Sequence, residues 1–356
     1  MTRLWCGMKS LPEKGGARPV KFFPWASARG QSFEVVVCDF RAAEVRKVID
    51  SRLVRVECEI SMTLIEQAEF YYWYHCVVFP DGFVTDGDYD LRPLLHKYGF
   101  PINMKGMSAL DVGRASGYFS FEMERRGATV TSLDIKSILD WDHVGGETQK
   151  RKVLELIKND VENYSRQQIT GAFDLAVCAL RSNVESCLMS IYELTPEAFD
   201  GRMFDVVFAG SIMSHLRDPV LALEKLKSVT RIKCIISVPA FDLPETMNIP
   251  VMSLVGDNDP DRRSWWVMNR KCLNEMLLCV GFKQVVFFSD FTLVNRKLGI
   301  TTPHLVAHAY VEKGPHAFDT ENPFDLPYVI SKTFTQRLAD WVRLLKKIRP
   351  SPACKP

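Results

Sequence analysis

The sequence lacks several patterns that assign a protein to a well-known class. Its ten cysteines contain no Cys-x-x-Cys pair, and no histidine lies at the spacing that completes a zinc site. We therefore expect reduced thiols, a cytoplasmic protein and no bound metal ion. No apolar run approaches the roughly 20 residues that a membrane-spanning helix needs, and the start lacks the apolar stretch of a signal peptide. These absences argue against a membrane protein.

A surplus of charge of one sign is also missing, since 45 Lys and Arg residues face 43 Asp and Glu residues. Residues 1–30 hold six basic residues and one acid, and residues 331–356 hold seven and one. Residues 31–330 carry 32 basic and 41 acidic residues, a net charge of −9. Because binding to a phosphate backbone needs clustered Lys and Arg, this body is not expected to grip nucleic acid. The basic first 30 residues fit an irregular surface arm or an organelle transit peptide.

What the sequence does contain is an alternation of strand-like and helical segments. The predicted strands are Met107–Val112, Thr129–Ile135, Ser186–Leu194, Phe204–Gly210 and Lys233–Ala240, and the predicted helices are Phe119–Gly127, Ala172–Asn183, Pro219–Val229 and Asn269–Val280. Strands separated by amphipathic helices indicate a mostly parallel, doubly wound α/β sheet with both faces covered. Gln284–Phe291 and His304–Lys313 have no helix between them, which predicts an antiparallel closing hairpin at one edge.

The remaining segments are predicted to be additions to this core. The predicted parts are an N-terminal appendage at 1–61, a helical and loop cap at 62–106, the core at 107–313 and a C-terminal extension with a basic helix at 314–356. The appendage contains one strand-like stretch, Phe33–Cys38, and the cap begins with a helix from Met62 to Tyr74. The polar stretch from about Asp142 to Gly171 is longer than an ordinary connection and predicts an insertion or lid. The last helix, about Ser331–Ile348, has an apolar face that predicts packing against the body.

The most informative segment is Leu110–Tyr118, a glycine-containing turn between a strand and a helix. Glycine lets the backbone approach a ligand closely, and the helix start offers free N–H groups. A dinucleotide fingerprint needs three glycines, but this chain keeps only Gly113 and has Ala115 and Tyr118 at the other two positions. The pattern Asp-x-Gly-x-x-x-Gly, which begins at Asp111, favours a cationic ligand over a polyanion.

With Asp134 placed 21 residues after Gly113, and with the segment Phe204–Pro219, the chain resembles the class I S-adenosylmethionine-dependent methyltransferases. The resemblance implies a Rossmann-like, seven-stranded core and S-adenosyl-L-methionine as cofactor. It also implies which elements hold each part of the cofactor. The turn holds the methionine part, and an acid after the second strand binds the ribose. A pair of residues after the third strand contacts the adenine, and the end of the fourth strand lies beside the sulfonium. The residues at these positions are Asp111, Gly113, Arg114, Ala115, Gly117, Asp134, Ile135, Tyr192, Glu193, Gly210 and Ser211.

A closer resemblance, from roughly Met62 to Lys313, is to the family that includes the tRNA wobble-uridine carboxymethyltransferases. The stretches that carry it are Trp73–Leu95, Leu110–Ala128, Phe208–Val229 and Arg263–Phe282. In those enzymes a tyrosine, a lysine and an arginine hold the carboxylate of a carboxylated cofactor. At the matching positions this chain has Ser214, no lysine within Phe79–Asp86, and Thr302-Pro303-His304. A buried carboxylate without a cation costs several kcal/mol, so we expect plain S-adenosylmethionine and transfer of a methyl group.

His215, at the end of the predicted fourth strand, is the candidate general base, because an ordinary histidine pKa lies near ~6.5. Its alternative role is packing. His75, His304 and His308 are lesser candidates, and the spacing of the last two on a strand argues against a metal site. The residues predicted to bind the acceptor are Trp73, Tyr74, His75, Tyr118, Ser214, Trp265 and Trp266. Aromatic faces suit planar substrates, although each of these rings also fits a core position.

Three functions are compatible with these features. The favoured one is a methyltransferase that acts on an oxygen or nitrogen atom of a small molecule by in-line displacement. The second is a tRNA wobble-uridine-modifying enzyme, since the basic C-terminal helix could contact RNA. The third is a non-catalytic S-adenosylmethionine-binding protein, because Ala115 replaces the usual middle glycine of the turn. A homo-oligomer is compatible with all three.

Overall fold

The computed structural model describes residues 22–26, 32–39, 42–49, 52–57, 63–160, 169–241, 248–255 and 264–314. By internal contacts the chain divides into two units, Met1–Glu66 and Gln67–Pro356. The predicted helix at Ser331–Ile348 and most of the basic first 30 residues lie outside the described residues. The four-part division at 61, 106 and 313 stays a prediction.

The first unit contains a four-stranded antiparallel sheet. Its strands are β1 (Phe22–Ala26), β2 (Ser32–Asp39), β3 (Ala42–Ile49) and β4 (Arg52–Glu57), and each pairs with the next. The stretch Phe33–Cys38 lies within β2, as predicted, but the other three strands were not predicted.

The second unit is built on a seven-stranded sheet. Its strands are β5 (Ser108–Val112), β6 (Thr129–Asp134), β7 (Glu185–Leu188), β8 (Phe204–Gly210), β9 (Thr230–Pro239), β12 (Gln284–Val294) and β13 (Thr301–Tyr310), with a separate hairpin of β10 (Met252–Leu254) and β11 (Trp266–Met268). The order across the sheet is β12-β13-β9-β8-β5-β6-β7. Strands β5 to β9 are parallel, and β13 is antiparallel to both β9 and β12. The predicted Rossmann-like α/β sheet with an antiparallel closing strand is therefore confirmed.

The described helices are α1 (Leu64–Phe70), α2 (Tyr118–Arg125), α3 (Gly146–Asn159), α4 (Ile169–Leu180), α5 (Pro219–Val229) and α6 (Arg270–Cys279). Four of them, α2, α4, α5 and α6, cover the two faces of this sheet. Alternate residues of a strand point to opposite faces, so Val206 and Phe208 of β8 pack with α2 and α4, while Val207 and Ala209 pack with α5 and α6. Each face of the sheet thus has its own apolar core.

Several element boundaries differ from the prediction. The strand predicted at Ser186–Leu194 ends at Leu188, because Ser190 caps a short 3₁₀ helix at Ile191–Glu193. Helix α1 is shorter than the predicted Met62–Tyr74. Strand β9 begins at Thr230 instead of the predicted Lys233, directly after helix α5, and the Thr230 hydroxyl donates to the carbonyl of Leu226 at 2.6 Å.

The predicted insertion between β6 and β7 contains α3 and part of α4. Within the described ranges, no helix combines the length and the apolar character that crossing a membrane requires.

Candidate active site

The glycine turn joins the end of β5 to the start of α2. Gly113 has a φ of 78°, and a Cβ there would lie 2.8 Å from Cδ1 of Ile212. Only glycine adopts this conformation without a steric cost, and a Cβ at this position would require the end of the Ile212 side chain to move. Ala115 also has a positive φ, 47°, so it keeps the left-handed backbone that a glycine would adopt there. The replacement of the middle glycine therefore preserves the shape of the turn.

Asp134 ends β6 and faces the glycine turn. Its Oδ2 accepts a hydrogen bond from the backbone N–H of Ala115 at 2.9 Å, and its Oδ1 accepts one from Ile135 at 2.8 Å. Burial raises the pKa of this carboxyl above its ordinary value, while Arg114 and the two N–H groups oppose the rise. A carboxylate has about four lone-pair positions, so two remain for a ligand with neighbouring hydroxyl groups. The turn and this acid thus fit the ribose and methionine parts of S-adenosylmethionine.

Asp111, the first acid of the turn, is almost fully buried. Its Oδ2 accepts a hydrogen bond from the Ser120 hydroxyl at 2.5 Å, and Ser120 in turn accepts one from Ser132. Burial raises the pKa of Asp111 to about 7, against the lowering effect of the Ser120 hydroxyl. This carboxyl is therefore partly protonated near neutral pH.

Arg114, which follows Gly113, is 1% exposed. Its guanidinium lies over the ring of Phe173 in α4, with its central carbon 4.1 Å from the ring centre. Among the described residues, none accepts a hydrogen bond from its three side-chain nitrogens. Asp134, Asp174 and Asp111 act on it electrostatically in the direction that raises its pKa, but desolvation outweighs them and lowers it. Arg114 thus places a cation between the glycine turn and α4.

A network of hydrogen bonds around Asp142 connects four loops at the carboxyl edge of the sheet. The carboxylate of Asp142, in the insertion after β6, accepts from the Tyr192 hydroxyl at 2.6 Å and from the Arg217 N–H at 2.8 Å. The carbonyl of Asp142 accepts from the Trp265 indole N–H at 2.6 Å. Tyr192 and Trp265, predicted to contact cofactor and substrate, therefore use their polar atoms to hold the loops together.

A pocket lies beside the glycine turn. Its lining consists of Tyr74, His75, Tyr89, Leu91, Tyr98, Phe119, Gly210, Ser211 and Leu293, and its volume, open mouth included, is about 270 Å³. No charged side chain is among these residues. The pocket and the turn are directly connected, because the buried Ser116 hydroxyl of the turn accepts a hydrogen bond from the backbone N–H of Tyr74 at 2.9 Å.

Ser211 follows β8 and has a φ of 57°, a left-handed conformation that is strained for serine. Its hydroxyl lies 3.0 Å from Nε2 of His304, a residue of β13. Nδ1 of His304 lies 3.0 Å from the carbonyl oxygen of Thr302. Burial lowers the pKa of His304 to about 4, so the ring is neutral at physiological pH.

His75 is 6% exposed and lies among the pocket rings. Its ring meets those of Tyr74 and Phe119 edge to face, at centroid distances of 5.0 and 5.8 Å. Burial lowers its pKa to about 3, and no described residue is hydrogen-bonded to its Nδ1. His75 is therefore a neutral polar group inside an aromatic wall.

The structure separates the predicted site residues into two groups. Tyr74, His75, Gly210 and Ser211 line the pocket, whereas His215, the predicted general base, ends a short 3₁₀ helix and is not among the lining residues. The role of His215 as the general base stays a prediction.

Several predicted acceptor contacts are used in packing. Trp73 is 3% exposed, its indole N–H donates to the carbonyl of Ala68, and it belongs to the core. The Ser214 hydroxyl donates to the carbonyl of Ser211. Trp266 donates to the carbonyl of Arg217 at 3.3 Å. Tyr118 lies 6.3 Å from His75, centroid to centroid, just outside the pocket lining.

The last predicted cofactor contacts lie at turns. The Glu193 carboxylate accepts from the Ser190 N–H and completes the capping of its 3₁₀ helix. A Cβ on Gly117, which has a φ of 86°, would lie 2.6 Å from the Phe173 ring. Pocket residues that sequence reasoning missed are Tyr89, Leu91, Tyr98, Phe119 and Leu293. Only their apolar character could have indicated them, and that character is equally typical of a core.

No protein-family model matches the chain, and no curated protein matches it. A solved structure with a similar fold is the N-terminal domain of EvdMO1 with SAH bound, at 15% identity and a TM-score of 0.45, over 70% of this chain and 95% of that one. Another is CrArsM, an arsenic(III) S-adenosylmethionine methyltransferase from Chlamydomonas reinhardtii, at 14% identity and a TM-score of 0.38, over 60% and 66%. A third is magnesium protoporphyrin IX methyltransferase (ChlM) from Synechocystis PCC 6803 with bound SAM, at 17% identity and a TM-score of 0.32, over 59% and 72%. These similarities concern the course of the backbone.

Proposed function

We propose that this protein is an S-adenosylmethionine-dependent methyltransferase that acts on an oxygen or nitrogen atom of a small acceptor. The observation that carries the proposal is the junction of turn and pocket. Ser116 of the glycine turn holds the Tyr74 backbone, and Ile212, next to Ser211 of the pocket, packs against Gly113. A cofactor held by the turn would thus border this pocket.

The residues divide the work of cofactor binding. Asp134 offers its two remaining lone-pair positions to the ribose hydroxyls, and the left-handed turn at Gly113 and Ala115 allows the backbone to approach the methionine part. S-adenosylmethionine supplies a methyl group on a positively charged sulfur, which is already a good leaving group. The protein then mainly aligns the acceptor and excludes water, which the apolar rings of the pocket do.

The uncharged lining of the pocket supports both finer parts of the proposal. A carboxylated cofactor would find no cation among the lining residues, and leaving such a charge unpaired costs several kcal/mol. A phosphate of tRNA would likewise find no Lys or Arg there. Plain S-adenosylmethionine and a small acceptor are therefore favoured over the tRNA alternative.

Substitution of Asp134 tests the cofactor assignment. In titration calorimetry, we expect the wild-type protein to bind S-adenosylmethionine and S-adenosylhomocysteine at micromolar concentrations. Asp134→Ala should weaken both by at least about tenfold, because hydrogen bonds to a charged group contribute about 1.5–3 kcal/mol. The matched control is Asp140→Ala, which removes an exposed acid from the same connection and should leave binding unchanged.

Two results would count against the proposal. Absence of binding to the wild-type protein would refute both the methyltransferase proposal and the alternative of a non-catalytic S-adenosylmethionine-binding protein. Equal binding by wild type and Asp134→Ala, with both folded by circular dichroism, would remove the ribose role of Asp134.

A further inference from the structure

Trp265 is held from two sides at the carboxyl edge of the sheet. Its backbone N–H donates to the carbonyl of Ser214, in the loop after β8, at 2.7 Å. Its indole N–H donates to the carbonyl of Asp142, in the loop after β6, at 2.6 Å. Its own carbonyl accepts from the N–H of Val255, at the end of the hairpin of β10 and β11, at 2.8 Å. Trp265 therefore fastens this hairpin to two loops that begin at different strands of the large sheet.

The side chain of Asp142 links those two loops to each other. Its Oδ2 accepts from the N–H of Arg217 at 2.8 Å, and Arg217 lies three residues after Ser214. The same oxygen accepts from the Tyr192 hydroxyl at 2.6 Å, and that hydroxyl oxygen accepts from the N–H of Asp218 at 3.0 Å. Because neighbouring bonds share their atoms, the loss of one bond weakens the others.

Both loops begin at elements of the proposed cofactor site. The loop after β6 starts at Asp134, which offers two lone-pair positions to the ribose in the proposed function, and Asp142 follows eight residues later. The loop after β8 contains Ile212, which packs against Gly113 of the glycine turn. A ligand that contacts both Asp134 and the turn thus restrains the start of each loop. The hydrogen bonds of Trp265 carry this restraint to the hairpin.

We propose that Asp142 is a positioning residue through which cofactor binding fixes the hairpin that carries Trp265 and Trp266. The proposal rests on the proposed function, because the ligand that restrains the loops is the cofactor of the methyl transfer. The two indole N–H groups donate to backbone carbonyls, those of Asp142 and Arg217, so the rings offer their apolar faces to an acceptor. The rings are stacked, half-buried and 6.3 Å apart, centroid to centroid. Asp142 acts on the acceptor through the position of these rings.

Thermodynamic linkage gives this coupling a second measurable consequence. If the cofactor stabilises the hairpin, the intact network must strengthen cofactor binding by the same factor. Coupling between two sites typically changes affinity by about 5–150-fold. Removal of the Asp142 carboxylate should therefore weaken cofactor binding, although this side chain is not a cofactor contact in the proposal.

Hydrogen exchange of the full chain, with and without S-adenosylhomocysteine, tests the coupling. In the wild type, saturating ligand should slow exchange in peptides from the glycine turn, 113–118, and from the hairpin, 264–268, by at least about fivefold. In Asp142→Ala the ligand should still protect the turn, whereas its protection of the hairpin should fall below about twofold. A general loss of stability would reduce both protections together, so their separation identifies the coupling.

Titration calorimetry with the same ligand measures the reciprocal effect. Asp142→Ala should bind S-adenosylhomocysteine about five- to tenfold more weakly than the wild type. Asp142→Asn keeps an oxygen that can accept from both Arg217 and Tyr192, so its affinity should lie within about threefold of the wild type. The control is Asp140→Ala, which removes an exposed acid two positions away and should leave exchange and affinity unchanged.

Two conservative variants keep the proposal testable if Asp142→Ala does not fold. Tyr192→Phe removes the hydroxyl that bonds the Asp142 carboxylate, and Trp265→Phe replaces the indole that bonds the Asp142 carbonyl with a ring that has no N–H. Since both bonds end on Asp142, the two effects on ligand affinity should be non-additive by at least about twofold. Additive effects would show two independent contacts and would overturn the coupling.

The remaining outcomes separate this proposal from the proposed function. Protection of the turn alone in the wild type overturns the coupling and leaves the methyltransferase proposal intact. Equal protection of the hairpin in the wild type and in Asp142→Ala overturns the role of Asp142. Failure of the wild type to bind S-adenosylhomocysteine is the result that refutes the proposed function itself.

Discussion

His75 is a polar side chain in an aromatic wall, and its burial lowers the stability of the folded protein. An unsatisfied buried polar group costs about 1–3 kcal/mol, so His75→Leu should leave the stability within about 1 kcal/mol of the wild type or raise it. Thermal denaturation measures this effect. Phe119→Leu, which removes a ring but no polar atom, should cost at least about 1 kcal/mol. A destabilisation of His75→Leu as large as that of Phe119→Leu would contradict this account.

Asp111 gives the stability a pH dependence of defined sign. Its folded pKa, about 7, lies above the ordinary value of 3.8, so between these values the folded state binds more protons than the unfolded state. The contribution is complete below pH ~4 and is lost as the pH rises through about 7, at up to about 1.4 kcal/mol per pH unit. Urea unfolding of the wild type and of Asp111→Asn from pH 4.5 to 8 should show a wild-type curve that falls relative to the variant. Parallel curves would show that Asp111 is not protonated in the folded state.

Individual residues show which features of the site could be predicted from the sequence and which could not. The positions of Gly113 and Asp134 follow from spacing along a strand, turn and helix, and the structure places both at the predicted elements. The partnership of Ser211 and His304 joins residues 93 positions apart, and it arises only because β9 and then β13 follow β8 in the sheet. His215 follows the same strand, four residues after Ser211, and its role as a base stays a prediction.

At the scale of elements, the segment before β5 forms the pocket by close backbone contact. A Cβ on Gly87 would lie 2.2 Å from the carbonyl carbon of His75 and 2.3 Å from the N of Cys76, and neither backbone atom can move independently. Gly87→Ala should therefore displace the His75 segment, lower the stability by about 1–3 kcal/mol and weaken binding of S-adenosylhomocysteine, because the neighbouring Tyr74 N–H holds Ser116 of the glycine turn.

The matched control for this prediction is Gly82→Ala, in the same turn-rich stretch. Its Cβ would meet nothing within 4 Å, although its φ of 89° adds strain. It should cost about 1–2 kcal/mol and leave binding of S-adenosylhomocysteine unchanged. Equal loss of this binding in both variants would show that strain in the stretch, and not the contact with His75, controls the turn.

Strands with a continuous apolar sequence could be predicted, whereas turns that depend on local hydrogen bonds could not. Strand β8 matches its prediction at both ends because seven consecutive apolar or buried positions leave no other choice. Strand β7 was predicted too long because LMSIYEL is apolar enough for a strand, but the Ser190 hydroxyl and the Glu193 carboxylate close a capped turn there.

At the scale of the whole molecule, neither the net charge of the body nor the lining of the pocket favours an anionic ligand. The body carries a net charge of −9, and the lining of its pocket carries none. A cationic cofactor and an uncharged acceptor both suit such a surface, since neither requires a cluster of Lys and Arg. The overall sheet could be predicted because its alternation of strands and helices extends over 200 residues, whereas the pocket depends on which apolar residues leave the core to face a cavity.

The direct passage from α5 into β9 limits how this fold can change. Val229 ends the helix and Thr230 begins the strand, so the amino-end edge of the sheet has no spare residue at that point. The carboxyl-end edge, in contrast, already holds the long connections between β6 and β7 and between β9 and α6. Insertions and deletions are tolerated where a loop can absorb them. Changes in loop length are therefore expected around the pocket, at the carboxyl-end edge of the sheet. The connection between α5 and β9, at the opposite edge, is expected to keep its length.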